Sequence, residues 1–348
     1  MKILVHYDQS APKYHRVLLP AHGLQQQHGW EVKVTFDTPE QLFEDIDILF
    51  FNRLIAGTTL DTILGYKAKY GFKMVCDLDD HWQLGPDHVL YENYKKYGIS
   101  EMIEEYVKAS DLVTVTHERL REAASSLNES VAVFPNAIPK IDQFLVQRTP
   151  SQHLRLFWAG GTTHRNDLEL LRRPLQLIKR DKVKLVVGGF KHNDPEWKEM
   201  AKIYTTDSAY NTAVIENLPV HEYYKVYSQC DISLIPLVKN TFNEHKSNLK
   251  ILEAANIGVP VIVSKVHPYL GFPEHLVNYV DGNNTFYSQI TKLIKDEELR
   301  RVQGAGLQAY CDRHYNFLEI NSKRNKLFHE TIQPGQVREI QEEARGVA

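Results

Sequence analysis

Residues 241–264 read TFNEHKSNLKILEAANIGVPVIVS. A polar, turn-prone opening runs into a helical pattern over 247–256. Gly258 and Pro260 stop that helix, and a short apolar strand follows at 259–263. On a helix at about 100° per residue, Lys246, Lys250 and Glu253 fall within about 60° of one another. Lys246 and Glu253 then stand about 10 Å apart along the axis. One face offers an ammonium and the free N–H groups of Ser247, Asn248 and Leu249 at its start, and a carboxylate two turns on. Cations and N–H groups suit a diphosphate, and a carboxylate suits ribose hydroxyls. Lys250 and Glu253 are equally an i, i+3 pair, worth about 0.2–0.5 kcal/mol on any exposed helix.

Outward from this stretch, the same alternation continues through the chain. Apolar runs lie at 3–7, 32–36, 46–51, 74–77, 112–115 and 131–134, and again at 154–159, 183–187, 212–215, 232–237 and 259–263. Helical patterns between them include 13–28, 58–69, 101–109, 118–127, 167–179, 195–204, 221–228 and 247–256. Continuous apolar strands separated by helices predict parallel sheets covered on both faces. The expected fold is α/β, with two doubly wound Rossmann-like domains facing across a cleft. The break falls in 135–151, which holds Pro135, Pro139 and Pro150 and lacks periodicity. The expected domains are 1–148 and 149–313, with C-terminal helices from about 314 to 348 crossing back onto the first. Beyond Gln333 the chain is polar and charged, and reads as a solvated helix or frayed end. In such sheets ligands sit at the carboxyl ends of strands, and two facing domains make the cleft the default active site.

With 348 residues, two domains are the natural division. At 43% hydrophobic and 24% charged, with net charge −3, the chain has no global basic signature, so bulk charge does not argue for nucleic acid. Cys76, Cys230 and Cys311 are far apart and in no metal-ligand spacing, which fits a reducing compartment. The N-terminus MKILVHYDQS is not a signal-peptide pattern, and no apolar run approaches the ~20 residues that span a bilayer. The expected location is the cytoplasm, with membrane contact only peripheral.

WAGGTTHRND (158–167) follows the first strand of the second domain. Gly160 and Gly161 let backbone approach a ligand. Thr162, Thr163 and Asn166 can cap the following helix, and Arg165 stands at its start. An ordinary strand-to-helix turn accounts for the same residues. GxGxxG is absent from the chain, which argues against a nicotinamide or flavin enzyme. In the first domain, VCDLDDHW (75–82) puts Asp77, Asp79, Asp80 and His81 at the end of a strand. Asp79, Asp80 and His81 can polarise or position an acceptor hydroxyl; the acids can also hold a divalent metal, or simply cap and turn. Arg53, at the end of another strand, fits either a phosphate or an ion pair with Asp79 and Asp80. Tyr14, His15 and Arg16 open the first long helix, on an acceptor-side rim or on a solvated face. His117 is an expected N-cap. Glu216–Pro219 fits a nucleobase-facing turn or an ordinary one.

These motifs, together with VFPNAI (133–138) and CDISLIPL (230–237), resemble family-4 retaining glycosyltransferases of the GT-B fold over about residues 1 to 330. The resemblance implies transfer of a sugar from a nucleoside-diphosphate sugar, commonly UDP-linked, to an acceptor hydroxyl. It implies that Glu253 grips the donor ribose, that Arg165 with Lys246 or Lys250 stabilises the leaving diphosphate, and that no divalent metal is obligatory. One departure is His245, where the family's commoner pattern has a second glutamate; a subset has the Lys-Ser pair found here at Lys246–Ser247. Glu244 is the neighbour that can substitute. The usual N-terminal glycine-rich loop is missing as well, so Ser10 and its neighbours would serve. Asp80 or His81 would orient the acceptor. The default acceptor is a surface glycan or lipid-linked sugar, with a hydroxymethylated DNA base as the alternative. Against the transferase stand a non-catalytic two-domain clamp or scaffold and, more remotely, a sugar-nucleotide epimerase.

Overall fold

The computed structural model describes residues 1–178, 183–205 and 211–333. The segment 334–348, and with it the tail expected to be frayed, lies outside the described residues, as does Lys179. Two compact units form. The first takes Met1–Pro86, Tyr91–Asn136 and the chain from Phe317; the second takes Asp87–Leu90 and Ala137–Asn316. The division thus falls at Asn136/Ala137 rather than at 148/149.

The first unit holds strands β1 (Lys2–His6), β2 (Glu31–Thr35), β3 (Ile48–Asn52), β4 (Lys73–Leu78), β5 (Leu112–Val115) and β6 (Val131–Val133). They form one parallel sheet in the order β2-β1-β3-β4-β5-β6. β3 is buried at every position, as expected of a strand covered on both faces. One apolar cluster joins Phe43, Phe51, Ile63, Phe72, Ile103 and Val107, which come from strands and the helices over them. His117 caps the helix Glu118–Ala124 by accepting the Leu120 N–H at 3.3 Å. Helix Phe317–Ile332 packs on helix Leu19–His28 in the same unit. The contact is close: a Cβ on Gly23 would stand 2.3 Å from the Asn321 amide nitrogen.

The second unit holds β7 (Leu154–Ala159), β8 (Val183–Phe190), β9 (Thr212–Glu216), β10 (Ile232–Ile235), β11 (Val261–Ser264) and β12 (Asn278–Val280). The order is β12-β11-β10-β7-β8-β9, again parallel. The sixth strand, β12, is absent from the sequence expectation. The expected helix 167–179 is two short helices, Arg165–Glu169 and Arg172–Leu177. Pro174, which lacks an N–H, sits at the start of the second. Both sheets are those of doubly wound Rossmann-like domains.

Candidate active site

In the second unit β8 and β9 lie on one side of β7, and β10, β11 and β12 on the other. The strand order therefore reverses between β7 and β10, and ligands of such sheets bind outside the strand ends at that point. The segments leaving β7 and β10 are WAGGTTHRND and the approach to the 241–264 stretch.

Three glycines shape the first of these. The Gly160 N–H donates to the Gly188 carbonyl at 3.2 Å. Gly189 has φ +94°, and a Cβ there would stand 2.5 Å from the Gly160 carbonyl oxygen. A Cβ on Gly160 would stand 3.0 Å from the Trp158 ring and 3.2 Å from His164 Cδ2, whereas one on Gly161 would meet nothing within 4 Å. A side chain at Gly160 would thus be tight against Trp158 and His164, and Gly161 faces open space. Neither Thr162, Thr163 nor Asn166 caps the helix that follows: the turn at Gly161 and the helix start at His164 carry no side-chain cap.

Asp167 ties the two segments together. It is 3% exposed, and it accepts from the Val238 N–H at 2.8 Å, from Asn243 Nδ2 at 3.1 Å and from His164 Nδ1 at 2.8 Å. Burial alone raises its pKa; these hydrogen bonds, His164's first, outweigh that and hold it below the usual carboxylate range. Burial, then the Lys250 and Lys246 ammonium groups, push His164 down to about 3, so its ring is neutral. His164, Asp167 and Asn243 were not among the expected site residues. The signal was the i, i+3 spacing of His164 and Asp167 at a helix start.

The helix of the opening stretch spans Leu249–Asn256, with Asn248 as an N-cap that makes no side-chain cap bond. The Asn248 carbonyl accepts from the Ile251 N–H at 2.9 Å, and the N–H groups before that one have no acceptor within the helix. Lys246 lies outside it: its backbone is extended (φ −69°, ψ 171°), and its ammonium stands 4.8 Å from the centre of the Phe242 ring. The axial spacing expected for Lys246 therefore does not apply, although its charge still reaches Asp167, His164 and Lys250. Lys250 lies over the Trp158 ring at 5.7 Å. Burial and the Lys246 charge push it down to about 8. Glu253 is 3% exposed. Burial pushes it up to about 7, against the Tyr227 hydroxyl, which donates to Oε2 at 2.7 Å, and against Lys250. Ser247, Asn248 and Leu249 are half-buried at the helix start. Arg165 stands apart, exposed and 3.5 Å from Glu196. Glu216 is exposed and pairs with His192 at 2.9 Å.

In the first unit the order reverses between β1 and β3. The segments leaving these strands contain Gln9 and Arg53, each at φ 61°, the non-glycine residues with positive φ among those described. Such backbone strain concentrates at functional sites. Arg53 Nε donates to Asp79 at 2.9 Å, Nη1 to the Tyr94 hydroxyl at 3.2 Å, and Nη2 stands 3.6 Å from Asp80. The ion-pair alternative is therefore the one the structure makes. Asp79, nearly buried, is raised by burial but held below the usual range by Arg53 and Asn52. His81 stacks flat on Trp82, with ring centres 4.8 Å apart, and its Nδ1 accepts the Gln83 N–H at 3.1 Å. Ser10 precedes the first helix, and its N–H donates to Asp8 at 3.1 Å.

Tyr14 and Arg16 do not line a rim. Tyr14 is 5% exposed and belongs to the core. Arg16, 2% exposed, binds Asp77 through Nε at 3.0 Å and Nη2 at 2.8 Å, and its Nη1 donates to the Phe134 carbonyl at 2.8 Å and to Asn136 at 3.0 Å. A guanidinium so deeply desolvated is held by its partners, and here every nitrogen has one. Among the described residues no three His, Cys, Asp or Glu side chains are grouped to hold a metal ion. No helix among them is long and apolar enough to cross a membrane.

Residues 153–296 match the family model described as glycosyl transferases group 1. The chain matches no curated protein in sequence. Among solved structures it is similar to Anabaena HepE in complex with UDP-glucose, at 16% identity over 95% of this chain and 100% of that one, with a TM-score of 0.66. It is similar to an α-glucosyltransferase in complex with UDP and a 13-mer DNA containing an HMU base, at 12% identity over 94% and 98%, with a TM-score of 0.65. It is also similar to TarM of S. aureus, at 13% identity over 81% of this chain and 54% of TarM, with a TM-score of 0.58. At these identities the structural likeness establishes the fold, and the family model supplies the chemistry of the second unit. The protein is a glycosyltransferase with the GT-B fold, and its second unit carries a glycosyl transferases group 1 domain.

Proposed function

We propose that the enzyme moves a hexose or pentose from a UDP-linked donor to an acceptor hydroxyl, with retention of anomeric configuration. One observation supports this most. Lys250, Glu253 and the open N–H groups of one helix start are gathered at the strand-order reversal of the unit that matches the family model. The relatives bound to UDP or UDP-glucose support the same donor. In this reading Glu253 accepts the ribose hydroxyls. Lys246, Lys250 and the N–H groups of Ser247, Asn248 and Leu249 stabilise the charge that grows on the leaving diphosphate as the glycosidic C–O bond breaks. Gly161 leaves room for the phosphates. Arg165 joins them by leaving Glu196, an exposed pair worth under about 1 kcal/mol. Two ammonium groups and a helix start can stand in for a divalent cation, so transfer proceeds in EDTA.

In the first unit Asp80 or His81 orients the acceptor hydroxyl, while Asp79 and Arg53 hold the segment that carries them. The acceptor is a surface glycan or lipid-linked sugar, reached from the cytoplasm with at most peripheral membrane contact. A hydroxymethylated DNA base is the second reading, supported by the α-glucosyltransferase whose complex contains such DNA. Calorimetric titration of UDP and UDP-glucose into wild type, Glu253→Ala and Lys250→Ala tests the donor assignment. Both variants lose about tenfold or more in affinity; unchanged affinity in both removes it. Transfer from the donor so found to glycolipid or to hydroxymethyl-DNA, with and without EDTA, separates the acceptors and tests the metal.

A further inference from the structure

We infer that Tyr227 is a positioning residue for the donor nucleotide, fixing the Glu253 carboxylate so that its second oxygen is left for the ribose. The inference rests on the reading that Glu253 binds the ribose. Tyr227 belongs to the turn Tyr223–Gln229, which precedes β10 and lies outside the helix of Glu253. Its hydroxyl reaches Glu253 Oε2 at 2.7 Å, and both residues are nearly inaccessible, at 2% and 3%. Among the described residues no other side chain donates a hydrogen bond to this carboxylate. Lys250 is turned to the Trp158 face.

The rest of the turn anchors the helix backbone. Tyr224 donates to the Glu253 carbonyl at 2.7 Å and accepts from Asn256 Nδ2 at 3.0 Å, and Asn256 Nδ2 also donates to the Phe144 carbonyl at 2.7 Å. Tyr224 and Tyr227 stack at 5.2 Å, and Tyr227 packs on Phe157 at 4.9 Å. The phenol is therefore packed against two other rings, and its hydroxyl is aimed by packing before any ligand arrives. A desolvated carboxylate with one fixed donor keeps one rotamer and one oxygen committed. The other remains an acceptor for a hydroxyl, as ribose recognition requires.

The hydrogen bond also favours the charged form of Glu253, which burial disfavours. Removing the hydroxyl must then move a titration, which a purely packing role would not. The test measures affinity for UDP, ADP and GDP from pH 5.5 to 8.5 in wild type, Tyr227→Phe and Glu253→Gln. In wild type the best-bound nucleotide gains affinity as pH rises through about 7. Tyr227→Phe weakens binding about tenfold at pH 7 and moves that rise about one pH unit higher. Glu253→Gln abolishes the rise. A Tyr227→Phe profile that superimposes on wild type, while Glu253→Gln is flat, overturns the inference and leaves the Glu253 reading standing. Wild-type binding by Glu253→Gln overturns that reading instead. Carbon-13 titration of the Glu253 carboxyl in the ligand-free enzyme decides the matter if the variant folds poorly. A ring-fluorinated tyrosine at 227, a stronger donor, must lower the carboxyl midpoint; no movement overturns the inference.

Discussion

Lys250 and Glu253 stand three residues apart on one helix and form no ion pair: the ammonium lies 5.7 Å from the centre of the Trp158 ring, and the carboxylate turns to Tyr227 Oη at 2.7 Å. An exposed i, i+3 pair would be a surface device of small energy. A buried acid and a half-buried base without direct contact feel each other only at a distance, and the cost of burial outweighs that attraction at both. Such costs persist where a ligand is to supply the missing partners.

The first prediction follows from the cost at Glu253. Its folded pKa, about 7, lies above the ordinary 4.5. Between these values the folded state holds a proton that the unfolded state has released, so stability falls as pH rises through that window and the penalty is complete above about 7. Glu253→Gln carries no such charge. It is expected to be more stable than wild type at pH 8, by up to about 3 kcal/mol, with no gain at pH 4, while nucleotide affinity drops. Denaturant titrations at the two pH values check the sign.

The second concerns rate. For the free enzyme kcat/KM should trace a bell with limbs near 7 and 8, the values to which Glu253 and Lys250 are moved. Below the first limb Glu253 is protonated and no longer a charged acceptor; above the second Lys250 loses its charge. Lys250→Arg removes the alkaline limb, because a guanidinium stays charged beyond pH 12. Steady-state kinetics under limiting donor measure it.

Strands and their order of appearance are legible in this sequence because the buried centres of parallel strands are apolar runs, as at 48–51 and 261–263. β12 is not legible. Three residues led by a polar Asn278 read as loop, yet that asparagine is buried and its Nδ2 donates to the Val261 carbonyl at 3.0 Å and to Gln303 at 2.8 Å. The helix of Glu253 is legible, but its start is not. Nothing in Lys-Ser-Asn forbids a helical turn, and only the structure shows Lys246 extended. Tyr227 lies beyond any periodicity argument, since its hydrogen bond spans 26 residues. The rim expected of Tyr14 and Arg16 failed for a related reason. An arginine on a helix reads as solvated unless its partner, here Asp77 at a separation of 61 residues, is known.

The glycine turn separates packing from binding within one motif. Gly189→Ala forces an L side chain to φ +94° and its Cβ to 2.5 Å from the Gly160 carbonyl, and is expected to lose about 1–3 kcal/mol of stability. Gly161→Ala has an accessible backbone conformation and an empty surrounding. Its stability should stay within about 0.5 kcal/mol of wild type, while UDP affinity falls because the added methyl occupies the space left for phosphates. Thermal unfolding and calorimetry on the two variants measure the contrast. Equal UDP affinity in wild type and Gly161→Ala would remove this glycine from the donor site.

Arg16 and Arg53 test the difference between holding a unit together and serving its acceptor. Arg16 is enclosed with Asp77, which also accepts from Thr114 Oγ1 at 2.6 Å. Arg16→Met strands a buried carboxylate, at an expected cost of about 3–5 kcal/mol. Arg53 is less enclosed, and its partners Asp79 and Asp80 keep 12% and 21% side-chain exposure. Water then compensates part of its loss, so Arg53→Met should cost less stability than Arg16→Met. If Asp80 or His81 presents the acceptor, Arg53→Met frees the segment that carries them. The KM for acceptor then rises while donor affinity stays put, a split that steady-state kinetics with varied acceptor reads directly.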